Sequence, residues 1–131
     1  DTGNYQDRYL FHIKEIIKFA SKVIINHLNI KYMVKHIVMF KLKETLSKDE
    51  KLDVMNRFKA AIEALPASIS VIRKVFVGLN INEAETWDIC LESEFDSLDD
   101  VKFYAAHPDH VAAAGILKDA KLDRACVDYE C

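Results

Sequence analysis

The apolar rhythm of the chain changes several times, and each change predicts an element. From Tyr9 to Leu28, apolar side chains recur at Leu10, Ile13, Ile17, Ala20, Ile24 and Leu28, while Lys14, Lys18 and Lys22 line another face. A period near 3.6 residues predicts an amphipathic helix. From Val34 the period drops to two, with Val34, His36, Val38 and Phe40 against Lys35, Ile37, Met39 and Lys41, which predicts a strand. Ser47 followed by Glu50 reads as a capping box, and the stripe Leu52, Met55, Phe58, Ile62 and Leu65 predicts a helix that stops before Pro66. A strand over Ser70 to Gly78, a polar turn around Asn80 to Glu83, and the alternation of Trp87, Ile89, Leu91, Ser93 and Phe95 predict a hairpin. Ser97 ahead of Asp99 and Asp100 supplies an N-cap and helix-dipole partners for a helix through Val101, Phe103 and Tyr104. Proline suits the first turn of a helix and disfavours helical geometry just before it, so Pro108 puts His107 at a break and Val111 to Leu117 in a new turn. Arg124 to Tyr129 reads as the last strand.

The order β-α-β-β-α-β, after one extra N-terminal helix, predicts an α+β protein with a ferredoxin-like antiparallel sheet and its helices on one face. Ile37 and Met39, with Ile72 and Phe76, are expected on the other face, where two sheets can meet across a two-fold axis in a homodimer. This divides the chain into an extension, 1–32, and a domain, 33–131. Three readings fit the extension: a helix docked on its own domain or a partner subunit, a helix lying on a membrane surface, or sequence upstream of a native start at Met33.

Half of the residues are apolar and the length suits one domain. The net charge of -3 splits into +2 for residues 1–32 (five basic, three acidic) and -5 for the remainder (13 basic, 18 acidic). An acidic domain without a Lys/Arg stripe argues against nucleic acid as a partner. Cys90, Cys126 and Cys131 form neither a CxxC pair nor zinc-type spacing, so they read as reduced thiols in a cytoplasmic protein. Lys14, Glu15, Lys18 and Lys22 interrupt the longest apolar stretch well short of the roughly 18 to 20 residues that span a bilayer.

The opening strand Val34-Lys35-His36-Ile37-Val38-Met39-Phe40-Lys41, the segment Ser93 to Asp96, and Tyr104-Ala105-Ala106-His107-Pro108-Asp109-His110-Val111 together resemble the stress-responsive A/B barrel (Dabb) family, within the dimeric α+β barrel group. The resemblance covers nearly all of Met33 to Cys131 and implies a dimer with a cleft between sheet and helices in each subunit. It also implies a cyclase or isomerase activity on an apolar carbonyl compound, because some members are plant polyketide cyclases in which a tyrosine and a histidine, spaced as Tyr104 and His110 are, promote an aldol-type ring closure. Those members carry bulky aromatics where this chain has Ala112, Ala113, Ala114 and Lys121, which puts a polyketide substrate in doubt.

Such a closure needs a base beside a carbonyl and a donor for the developing oxyanion. His110 and Tyr104 supply these without a cofactor. If strand one turns its first set of residues toward the helices, His36, Val38, Phe40, Leu91, Ser93 and Cys126 line the same cleft as ligand-binding residues. A cavity of roughly 300 Å³ or more, faced by the Tyr104 hydroxyl and the His110 imidazole, would favour a small-molecule role. The competing reading makes His110 a backbone partner and Tyr104 a core ring in a non-catalytic stress-response or assembly module. An oxygenase-like role is a further alternative. Metal binding by His107 and His110 is disfavoured, because Pro108 breaks their helical spacing and no third ligand lies nearby.

Overall fold

The computed structural model describes residues 3–28 and 32–131 in two separate units, 1–31 and 32–131. The first unit is helix α1, Gly3–His27, which begins earlier than the periodicity predicts. Residues 1, 2 and 29–31 of the predicted extension lie outside the described residues.

In the second unit, strands β1 (Val34–Leu42), β2 (Lys74–Leu79), β3 (Ile89–Phe95) and β4 (Lys121–Glu130) form one sheet in the order β2-β3-β1-β4. Every neighbouring pair is antiparallel. Helix α2 (Lys48–Glu63) joins β1 to β2, while α3 (Leu98–Ala106) and α4 (Pro108–Gly115) join β3 to β4. This is the ferredoxin-like β-α-β-β-α-β arrangement, with its last helical segment broken in two.

Strand β1 buries Val34, His36, Val38, Phe40 and Leu42 and leaves the residues between them half-buried. The buried set meets Val54, Phe58 and Ile62 of α2, Leu91 and Phe95 of β3, and Val101 and Tyr104 of α3 in one core. Ser47 caps α2 by accepting from the Glu50 N–H, and Ser97 caps α3 through Asp100. After α2, Pro66 sits in a short 3-10 turn, Leu65–Ala67.

Five expectations need correction. Leu52 is exposed and Val54 takes its place in the core. Strand β2 begins at Lys74, not Ser70, because Ile69 and Ile72 both bury from the irregular stretch after the 3-10 turn. Ile72 therefore belongs to the core and not to the outer face. Strand β4 starts at Lys121, and the segment after Pro108 is helical from the proline itself.

The outer face carries Ile37 and Met39 of β1, Phe76 of β2 and, by register with β1, Val127 and Tyr129 of β4. Phe76 and Val127 are more than half exposed there. In β4 the usual pattern is reversed. Arg124, Cys126 and Asp128 pair with Phe40, Val38 and His36 on the helix side, so its apolar residues point outward.

The free edge of β2 is covered by side chains of α2. Lys59 Nζ donates to the Val77 carbonyl at 2.6 Å, Glu63 accepts from the Val77 N–H at 3.0 Å, and the two side chains pair at 2.8 Å. An edge strand otherwise presents unpaired backbone groups to other chains.

Candidate functional site

The break between α3 and α4 builds the site. His107 is extended (φ -63, ψ 134), the geometry that a following proline favours, and its Nδ1 accepts from the Asp109 N–H to cap α4. The chain then re-enters a helix at Pro108, and His110, in the first turn of α4, lies against Tyr104 of α3 with ring centroids 4.3 Å apart. His110 Nδ1 sits 2.9 Å from the carbonyl of Ala105, in the last turn of α3. A carbonyl only accepts, so Nδ1 carries the proton and the Nε2 lone pair is left for another partner. Burial lowers the His110 pKa, the Ala105 bond opposes this, and the charges of His36, Arg124 and His107 lower it further. The neutral imidazole is favoured near pH 7.

Tyr104 is 1% exposed and packs against Phe95 at 5.1 Å and His36 at 6.2 Å between centroids. Its hydroxyl is buried and has no hydrogen-bond partner among the described residues. Burial pushes its pKa up to about 12, so it acts as a hydrogen-bond donor and not as a base. A buried hydroxyl without a partner costs about 1–3 kcal/mol, and such groups call for an explanation.

His36 joins Tyr104 from β1. Its Nδ1 is 2.5 Å from Asp128 Oδ1 and 3.6 Å from Cys126 Sγ, both on the adjacent strand β4. Ser93 donates to the His36 carbonyl at 3.1 Å. The predicted set His36, Val38, Phe40, Leu91, Ser93 and Cys126 therefore shares the helix-facing side of the sheet, but its members differ. Val38, Leu91 and Phe40 are buried in the core, with Phe40 edge-on to Phe58, and only Cys126 is exposed. His107 and His110 each spend Nδ1 on a backbone group. Asp128 was not among the predicted residues. The signal for it was the reversed alternation of β4, which puts polar residues 124, 126 and 128 on the helix side.

The Tyr104 hydroxyl is enclosed, while His110 is half-buried. Cavities of about 340 and 390 Å³ lie on the outer sheet face, beside Ile37 and Phe76 and beside Met39 and Trp87, and one of about 470 Å³ lies between α2 and α4. Neither Tyr104 nor His110 lines any of the three.

The chain belongs to the stress responsive A/B barrel domain family, whose pattern it matches over residues 34–131. It is 69% identical to a dimeric protein of ferredoxin-like fold from Bacteroides fragilis, with a TM-score of 0.75 over 76% of this chain and 96% of that one. A dimeric ferredoxin-like protein from Thermobifida fusca is 25% identical, with a TM-score of 0.64 over 77% of this chain and 92% of the other. An uncharacterized protein of Streptomyces coelicolor is 30% identical over 91 residues, 66% of this chain and 89% of that protein. Among the described residues, no helix is long and apolar enough to cross a membrane.

Proposed function

We propose that this chain is a homodimeric small-molecule protein that binds an apolar carbonyl compound beside Tyr104 and His110 and promotes proton transfer on it without a cofactor. The observation that carries this reading is the buried, unpartnered Tyr104 hydroxyl next to an imidazole whose Nε2 lone pair is uncommitted. A ligand carbonyl oxygen supplies the acceptor that the hydroxyl lacks. The same hydrogen bond stabilises the enolate oxygen that forms when Nε2 removes the neighbouring proton. General-base help of this kind is worth about 100- to 10,000-fold. Because Tyr104 is enclosed, ligand entry requires the side chains packed around it to shift.

The dimer is supported by the outer sheet face. Ile37, Met39, Phe76, Val127 and Tyr129 form an apolar surface that a second sheet would cover, and the B. fragilis and T. fusca relatives are described as dimeric. The free thiols Cys90, Cys126 and Cys131 fit a reducing, cytoplasmic setting.

A non-catalytic stress-response or assembly role is the second reading, and the closed packing around Tyr104 favours it. A panel of small ketones and β-diketones screened by thermal shift separates the two. Compounds that stabilise the wild type, with the gain lost in both Tyr104→Phe and His110→Gln, support the site. Stabilisation that survives both substitutions, or none across the panel, supports the non-catalytic role.

A further inference from the structure

One nitrogen, one sulfur and one carboxylate oxygen converge where β4 runs beside β1. His36 Nδ1, Cys126 Sγ and an oxygen of Asp128 all lie within 4.8 Å of one another. Cys126 and Asp128 are two apart on β4, so both side chains fall on the helix-facing side, and the register sets Asp128 opposite His36 and Cys126 opposite Val38. Residues 92 positions apart in the chain meet at one point.

A thiol, an imidazole and a carboxylate suggest a nucleophilic triad, but the connectivity is wrong for one. In a triad the carboxylate holds one ring nitrogen while the other takes the thiol proton. Here Asp128 and Cys126 both face Nδ1. The ring cannot relay a proton between them, and the three atoms instead surround a common centre.

We propose that His36 Nδ1, Cys126 Sγ and Asp128 form a binding site for a thiophilic divalent cation of the zinc class. Zinc takes sulfur at about 2.3 Å and imidazole nitrogen at about 2.0–2.1 Å, which in a tetrahedron separates the two donors by about 3.5 Å. The observed Sγ to Nδ1 distance is 3.6 Å. The Asp128 oxygen, at 2.5 Å from Nδ1, must withdraw by somewhat less than an ångström, and its half-exposed side chain leaves room for that. Mixed sulfur, nitrogen and oxygen donors favour zinc-like ions over magnesium or calcium, which prefer oxygen throughout. Three protein ligands leave a fourth position, and the exposure of Cys126 and Asp128 opens it to solvent or to an exchangeable ligand.

Loading the site displaces protons in a definite way. The ligands bind as the Cys126 thiolate and the Nδ1 lone pair of His36, so the cation displaces the Cys126 proton and any proton on Nδ1. This site stands independently of the Tyr104 and His110 reading.

The test uses the full chain, kept reduced with a phosphine, and cobalt(II) as the spectroscopic probe. Titration at neutral pH should give a thiolate-to-cobalt charge-transfer band with the strong visible bands of four-coordinate cobalt, and zinc should displace them. Cys126→Ser should lose the charge-transfer band. Asp128→Asn should weaken cobalt binding by about tenfold or more, at least the loss that removing an outer-shell partner brings. A double variant, Cys90→Ser with Cys131→Ser, should keep the band. The proposal is overturned if the wild type shows no such band, if the band survives Cys126→Ser, or if Asp128→Asn binds cobalt as the wild type does.

Discussion

His110 caps the α3 helix and covers the Tyr104 ring at once: its Nδ1 donates to the Ala105 carbonyl at 2.9 Å while its ring centroid stands 4.3 Å from that of Tyr104. The same side chain thus has a structural duty and a position suited to chemistry. The two roles use different ring nitrogens, so they are compatible.

The lowered His110 pKa predicts how stability responds to acid. The unfolded chain takes up this proton near the ordinary value of 6.5, the native protein only at lower pH. Between those points the unfolded state binds more protons, so His110 costs nothing above about pH 6.5 and destabilises the fold as the pH falls below it. Urea unfolding at about pH 7.5 and pH 5.5 should show the wild type losing more stability on acidification than His110→Gln, which can still donate to Ala105. Equal losses would show that His110 titrates normally.

The covered edge of β2 predicts a second effect. Glu63→Ala leaves the Val77 N–H without its acceptor and should cost about 1–3 kcal/mol, with Lys59→Ala acting in the same direction. Burial works against the Glu63 charge, but the bonds from Lys59 and Val77 outweigh it and hold the carboxyl below its ordinary value. Its contribution is therefore full above about pH 4.5 and fades as the pH falls through the lower native value. Denaturant curves on both variants measure the loss; wild-type stability in Glu63→Ala would refute the protective role.

The outer face predicts the assembly state. Light scattering should give the mass of a dimer for the wild type, and Ile37→Lys should shift it to a folded monomer, with unchanged far-ultraviolet circular dichroism. A monomeric wild type at micromolar concentration would remove the dimer.

Much of this was legible in the pattern of residues, for identifiable reasons. Alternation in β1 shows His36 pointing inward because four apolar neighbours share its face, and the His107-Pro108 pair shows a helix break because proline constrains both residues. The Ser70 to Ile72 stretch looks like strand by propensity, yet Ile69 and Ile72 are pulled into the core from an irregular segment, so packing overrides the local preference. Leu52 and Val54 are interchangeable by composition, and the rotation of α2 on the sheet decides which is buried. The meeting of His36, Cys126 and Asp128 depends on the β1–β4 register, which no local pattern specifies. The closed surroundings of Tyr104 likewise come from the packing of Phe95, His36 and His110, brought together from three elements.

The claim that the Tyr104 hydroxyl is a donor reserved for a ligand is tested most directly by the unfolding free energy of Tyr104→Phe in the absence of any ligand. A buried hydroxyl without a partner contributes only its desolvation cost, so the variant should be more stable than the wild type, by about 1–3 kcal/mol. A loss of about 1 kcal/mol or more would mean that the hydroxyl already has a partner in the free protein, and would contradict the account.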